Sequence, residues 1–497
     1  MRNLLIIILF TLFANSLQAN FVFTKRCQAA YRQMMLFNFD GANAILQSEK
    51  QLHPDNKVND YISSYAVFWK AALNENEDAI DEYEDLIDDV IEAIEDDDQE
   101  SPYKNFFLSD IYLRGAYLKA MESSYMSAAY KSNKAYNLVQ KNREEYPDFI
   151  PNKKLIGLMN VGIGTVPKKY TWVLNLFNFE GNVKQGLKEL EELLSITANN
   201  SDYSYLMSES LLLYSFTMET FEVSKASEDK LMKVYEWESI KKELPHNQFM
   251  IFSKASFLKH IKQTDHAIAC IEGKQIADGA MHFYYLDFLM GECLLNKLDY
   301  SAAKYFKKYA TEYHGNSYRR AAYRKWAWTY LLQGNPKKYY EKMTECLEVG
   351  NDNRNSDNQA TKEAEEGRAP NTSLLKARLL FDGGYYEQAV VMLKKSNPHT
   401  FNERENIEIW YRYGRIYDEW GNTQSAILNY ERCIKAGRDK EYYFAANAAL
   451  HLGFIYEKQG KKAEAKKQYE DCLDMDFDEY REGIEQKAKA GLERVDS

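Results

Sequence analysis

Between Ile407 and Tyr480 one structural unit is written twice, and no other feature limits the possible fold so tightly. The first copy reads Trp410-x2-Tyr413-Gly414-x2-Tyr417, then Gly421, Ala426, Tyr430 and Cys433. The second lies 39 residues on and reads Leu452-Gly453-x2-Tyr456, then Gly460, Ala465, Tyr469 and Cys472. Gly414 and Gly453 stand where the first helix of a unit meets the second too closely for a side chain. Tyr417 and Tyr456 fall three residues later on the same helical face and are expected to cover that contact. Gly421 and Gly460 end the first helix in a conformation that glycine adopts at little cost. Ala426 and Ala465 then allow the second helix to pack back. The pattern predicts helical hairpins, stacked one on the next.

This spacing resembles the tetratricopeptide repeat (TPR). From Gln248 onward earlier units can be phased the same way. One carries Ala255, Leu258, Ala267 and Ile271; the next carries Gly291, Leu294, Tyr300, Ala303 and Ala310. A third carries Trp326, Ala327, Tyr330, Gly334 and Cys346, with bulky Tyr339 in a small-residue slot. A fourth carries Ala377, Leu380, Gly384, Ala389 and Leu393. Single repeats cannot bury their apolar faces alone, so neighbours must stack. The expected fold is all-α: a TPR-type helical-hairpin solenoid coiled as a right-handed superhelix, with a divergent helical N-terminal half. Residues 351–369 are polar and poor in apolar side chains, which predicts a loop or mobile linker between repeats. The expected division is 1–19 leader, 20–198 divergent helical domain and 199–497 repeat solenoid. No stretch shows strand-like alternation.

The leader is read from Arg2, the apolar run Leu4 to Phe13 and the ending Leu17-Gln18-Ala19, the layout of a secretory signal peptide. Its apolar core is short for a bilayer span, and the alternative is a buried first helix. The chain carries 63 basic and 74 acidic residues, a net charge of −11. Such a balance gives no bulk attraction to nucleic acid or anionic membrane. Six cysteines in an exported chain invite a disulfide reading. However, Cys346, Cys433 and Cys472 occupy one equivalent slot late in the second helix of a repeat, where a thiol is a compact apolar filler. Equivalent positions on stacked helices lie ~8–10 Å apart, beyond a bridge. Free, buried cysteines are expected.

In the N-terminal half, Glu75 to Glu100 holds fifteen acidic residues and no Lys or Arg, yet Ile80, Tyr83, Ile87, Val90, Ile91 and Ile94 keep helical spacing. A helix with a solvated acidic face is the plain reading. A calcium or cationic-partner surface around Asp96, Asp97 and Asp98 is the sharper one, but no EF-hand loop supports it. Leu155 to Leu194 departs from repeat sequence: Gly157, Gly162, Gly164, Pro167, the apolar run Trp172 to Phe179, then Gly181 and Gly186. Two glycines without a strand or a P-loop lysine make a weak phosphate loop, and Lys168 and Lys169 shorten any span. A buried, kinked helix-loop-helix is expected.

That central segment, with Gly162-x-Gly164, Pro167-Lys168, Leu174, Leu176-Phe177-x-Phe179-x-Gly181 and Gly186-Leu187-x3-Leu190, resembles one eukaryotic TPR family. The family is linked to inclusion-body clearance and to mitochondrial outer-membrane or lipid-droplet surfaces. The acidic helix and last two repeats stand in the matching order around it. The resemblance implies an all-helical adaptor without catalytic residues. A signal peptide departs from that largely intracellular family, so its cellular role does not carry over. The leader and the abundance of Tyr and Asn resemble an exported envelope protein of a Bacteroides- or Flavobacterium-like bacterium.

No catalytic or metal constellation is legible. The eight histidines include no His-Glu-x-x-His, and His260 and His266 fall on different helix faces. There is no nucleophile elbow, P-loop or Cys-x2-Cys. The stretch Tyr318-Arg319-Arg320 to Trp326-x-Trp328 has the composition of a nucleic-acid platform, but its aromatics sit at repeat-core spacing. The expectation is therefore a non-enzymatic scaffold without cofactor or integral membrane span. It would bind protein partners of an outer-membrane or periplasmic complex, at the periplasm or outer-membrane periphery. The alternative is a glycan-binding surface protein accompanying an outer-membrane importer. Phasing the first helices places Asn371, Leu374 and Arg378, then Tyr411 and Arg415, then Asn447, Phe454 and Lys458 on the concave face of the solenoid. Otherwise these are ordinary solvated positions.

Overall fold

The computed structural model describes residues 20–496 apart from 76, 167–170, 223, 398 and 400. The expected leader, and Pro167 and Lys168 of the central segment, lie outside the described residues. Among the described residues there is no β-strand, as the sequence predicts. In chain order the α-helices are α1 Lys25–Met35, α2 Phe39–Leu52, α3 Val58–Asn74, α4 Glu77–Glu95, α5 Pro102–Met121, α6 Tyr125–Glu145 and α7 Asn152–Gly164. Then come α8 Thr171–Phe177, α9 Val183–Asn199, α10 Met207–Phe221, α11 Lys225–Tyr235, α12 Glu238–Glu243, α13 Gln248–His260 and α14 Thr264–Glu272. Next are α15 Tyr284–Asn296, α16 Ala302–Glu312, α17 Arg319–Leu332, α18 Pro336–Cys346, α19 Asn355–Glu366, α20 Thr372–Asp382 and α21 Tyr386–Lys395. The last are α22 Glu403–Glu419, α23 Thr423–Gly437, α24 Tyr443–Lys458, α25 Lys462–Asp474 and α26 Arg481–Asp496.

The duplicated unit folds as two hairpins, α22–α23 and α24–α25. A Cβ at Gly414 would stand 2.4 Å from the Tyr430 ring, and one at Gly453 would stand 2.3 Å from the Tyr469 ring. The close approach is therefore real, although the ring that fills it comes from the second helix, while Tyr417 and Tyr456 are half-buried beside it. Gly421 and Gly460 have φ of 84° and 73°, the left-handed stop their position requires. An Asn402–Glu405 capping box starts α22 by satisfying two of its free N–H groups. All six cysteines are free, and all but the part-buried Cys270 are buried.

Two expectations need correction. Residues 351–369 are not a loop, because they contain α19, whose Asp357, Ala360 and Thr361 are buried. This helix is held by polar bonds rather than an apolar stripe. Asp357 accepts from the backbone N–H groups of Tyr318 (2.7 Å) and Ala321 (2.9 Å), capping α17, and Arg320 donates to Thr361 Oγ1 (2.8 Å). The central segment is also only partly buried. Its glycines do let α7 and α9 cross closely: a Cβ at Gly157 would meet Leu190 at 2.7 Å, and one at Gly186 would meet Val161 at 2.7 Å. But Trp172 and Leu176 on α8 are 54% and 58% exposed. Leu174 and Phe177 of this seven-residue helix are half-buried, and Phe179 just beyond it rests on Tyr136.

The apolar core ignores a division at 198/199. One cluster runs from Phe37 through Leu187, Leu190 and Leu194 to Leu379, while Tyr205 and Leu206 belong with the core of α1 to α7. After α19 the chain returns to earlier helices. The α20–α21 turn rests on the α13–α14 turn: Lys262 Nζ donates to the Phe381 carbonyl (3.1 Å), and Tyr385 Oη donates to Asp265 (3.0 Å).

Candidate functional site

A groove of about 730 Å3 lies between two groups of helices. One wall is α17 and the inserted α19. The other is α20, the first part of α22 and of α24, and residues 478–483, where the chain enters α26. Trp328, Leu374 and Phe444 supply apolar surface, while arginines and carboxylates alternate around them. Most of these charges are already spent on each other. Arg404 donates to both oxygens of Glu479 (3.0 and 2.9 Å), and Arg412 donates twice to Glu408 (2.9 and 2.7 Å). Burial works against the Arg412 charge, but Glu408 carries it above the ordinary arginine range. Beside the groove, Lys259 (2.6 Å) and Lys325 (3.2 Å) share Glu292. Burial would raise that carboxyl, yet the two ammonium groups hold it down to about 2.

Three of the residues predicted for the concave face line this groove. The side chain of Asn371 caps α20 by accepting from Ser373 and Leu374 N–H, Leu374 is buried in the floor, and Arg378 reaches in. The other five lie elsewhere. Tyr411 is buried and accepts a hydrogen bond from Asn447 Nδ2 (2.7 Å), so these two grip each other rather than a ligand. Arg415 covers the Phe381 ring (5.3 Å) and pairs with Glu419 (3.2 Å). Phe454 is half-buried between His451 and Tyr469, and Lys458 is exposed at the end of α24. Tyr411 and Asn447 are taken up by the packing of α22 on α24, and Arg415, Phe454 and Lys458 lie further along those helices than the groove reaches.

Sequence reasoning missed Arg324, Trp328, Arg404, Arg412 and the whole α19 wall. One signal was present: the basic-aromatic stretch from Tyr318 to Trp328 holds both Arg324 and Trp328. Its Trp326 and Trp328 are both buried in the core, as repeat spacing predicts, and Trp328 also borders the groove. Among the described residues no group of three or more His, Cys, Asp or Glu could hold a metal ion, and no helix is long and apolar enough to cross a membrane.

No curated protein matches the sequence significantly. Among solved structures the chain is similar to the APC/C hetero-tetramer Cut9–Hcn1, at 10% identity over 92% of this chain and 86% of that one, with a TM-score of 0.26. It is also similar to a monomeric IFIT1 mutant with m7Gppp-AAAA, at 13% identity over 86% of this chain and 96% of that one, with a TM-score of 0.28. Overlap this loose carries no functional information. The tetratricopeptide-repeat family model matches residues 407–439 and 446–479, so the hairpins α22–α23 and α24–α25 are tetratricopeptide repeats.

Proposed function

We propose that this protein is a non-enzymatic scaffold of the cell envelope that holds an extended segment of a partner protein in the groove between α17–α19 and α20–α24. One observation carries the reading. The groove is walled by the first helices of successive hairpins, with apolar floor residues and with arginines from several of them. A folded domain would not enter a slot of this volume, whereas an extended chain can lie along it and meet side chains from each hairpin in turn. The leader motif is what supports an envelope location.

The test is a photo-crosslinking amino acid placed at Asn355 or Lys362 in the groove and, as a control, at exposed Lys467 on α25. In cells that naturally carry the protein, the groove positions should each give the same discrete protein adduct in the envelope fraction, and Lys467 should not. Adducts only from Lys467, or none from the groove, would overturn the reading. N-terminal sequencing starting at Asn20 would support export; a retained Met1 would count against it.

A further inference from the structure

Among the groove's cations, Arg324 stands out as buried and poorly satisfied. Its side chain is on the groove floor, the residue is only 5% exposed, and its Nε has no hydrogen-bond partner. The nearest carboxylate, Glu363, is 3.9 Å away. Glu363 is already committed, since its Oε1 accepts from Trp328 Nε1 (2.7 Å) and Tyr339 Oη (2.9 Å). The second cation here, Arg378, is 3.8 Å from its own carboxylate, Asp382, which is beyond hydrogen-bond range. Both guanidinium carbons lie over the Trp328 indole, at 4.7 and 5.8 Å, and Lys325 Nζ is 5.5 Å from the same ring.

Among the described residues, the carboxylates within 4.0 Å of Arg324 and Arg378 are Glu363 and Asp382, both beyond hydrogen-bond range, while Lys325 shares Glu292 with Lys259. A buried charge is costly unless it is both paired and hydrogen-bonded. Burial, which Glu363 only partly offsets and to which Arg378 adds a smaller repulsion, leaves Arg324 below the ordinary arginine range. Arg404 and Arg412 in the same groove show what completion looks like, each with two short bonds to a carboxylate. An indole face also steadies a guanidinium without neutralising it, so the Arg324–Arg378 pair is orientated and still lacks a hydrogen-bonded anion.

We infer that Arg378 and Arg324, gathered on Trp328, form a subsite for one carboxylate of the bound segment. The inference rests on the scaffold reading above and adds what its partner must carry. The carboxylate comes from an Asp or Glu side chain or from a chain terminus; a guanidinium fork accepts either through two N–H···O bonds. Arg378 makes the contact, being 38% exposed along its side chain, and the added negative charge relieves Arg324 behind it.

The probe is a random heptapeptide library made with free and with amidated C-termini, applied to the purified full-length chain. Retained peptides should converge on one carboxylate at a fixed place. Convergence that survives amidation assigns it to a side chain, and convergence that amidation abolishes assigns it to the terminus. The consensus peptide and its Gln or amide counterpart are then measured against wild type and Arg378→Gln. Wild type should prefer the acidic form by about tenfold or more, the scale of a charge-assisted hydrogen bond, and Arg378→Gln should lose that preference while binding the neutral form normally. Peptides retained with no carboxylate preference would overturn the subsite and leave the scaffold reading intact, as would equal weakening of both forms by Arg378→Gln. A subsite filled by phosphoserine but not by Glu would overturn it too. A library from which nothing is retained would overturn both.

Discussion

The two ends of the molecule are held together by opposite means. In the repeats α22–α25 the joints are apolar and local. A glycine on the first helix receives a tyrosine ring from the second, sixteen residues later, and the device is used twice: Gly414 with Tyr430, and Gly453 with Tyr469. In the N-terminal half the central joint is a buried network of charges and tyrosines drawn from α1, α3, α5, α7 and α10. Lys154 Nζ is 2.6 Å from Asp110 and 3.2 Å from Glu209, and Arg114 Nε is 3.1 Å from Asp110. Tyr61 (3.1 Å) and Tyr65 (2.8 Å) donate to Asp110, and Tyr31 donates to Glu209 (2.6 Å). Burial opposes the charge on Asp110, yet Lys154 and Arg114 hold it below the ordinary carboxylate range. A glycine–ring joint can be copied along a chain because it needs only its own hairpin. A charge network is unique to its site, and each member depends on all the others.

Removing one member of that network should have the largest effect. Lys154→Ala leaves Glu209 without a cation and Asp110 with Arg114 alone, at a cost of about 3–5 kcal/mol. Hydrogen exchange should then rise across α1, α3, α5 and α7 while α22–α25 keep their protection; uniform loosening would show that the two ends are not independent. Next comes Gly453→Leu, which forces the Tyr469 ring away and should cost about 1–3 kcal/mol by overpacking. Here the order reverses, and an unchanged melting temperature would dismiss the glycine–ring account. Tyr469 also faces Gly491 of α26 (2.5 Å to a Cβ there), so exchange should rise in α26 as well.

A smaller effect is expected from Asp357→Ala, which removes the acceptor for the Tyr318 and Ala321 N–H groups, at about 1–2 kcal/mol as for a lost helix cap. Protection should fall in α19 and the first turn of α17 before anywhere else. The last concerns acid. Because Lys259 and Lys325 hold Glu292 at about 2, below its ordinary 4.5, its folded charge contributes stability that is complete above 4.5 and fades as pH falls towards 2. Glu292→Gln should therefore flatten that part of the acid-unfolding curve. If the variant keeps the wild-type slope between those values, the triad is not what the acid limb reports.

How much of this could be read beforehand depended on the range over which each interaction acts. Gly421 and Gly460, Ala426 and Ala465, and the filler cysteines were legible because a hairpin's contacts stay within one repeat and recur with a period. The acidic segment was legible as a helix from its isoleucine spacing. The wall α19 was not. A helix that buries Asp357 and Thr361 has no apolar stripe to find, and its partners Tyr318, Ala321 and Trp328 lie about 40 residues back. Of the eight residues proposed for the concave face, Asn371, Leu374 and Arg378 meet in the groove. The other five do not, because Tyr411 and Asn447 bond to each other and Arg415, Phe454 and Lys458 lie further along α22 and α24, and neither outcome is written in the repeat period.

By itself, then, the sequence determined the helical hairpins, their stops and their close crossings, since each follows from side-chain size and backbone freedom within one repeat. The tertiary structure alone decided that Asp110 meets Lys154, that the α20–α21 turn rests on Lys262, and that Arg324 and Arg378 converge on Trp328. Those pairings join positions far apart in the chain. They are settled by how the helices stack, because a buried charge is tolerated only where the fold brings it a partner.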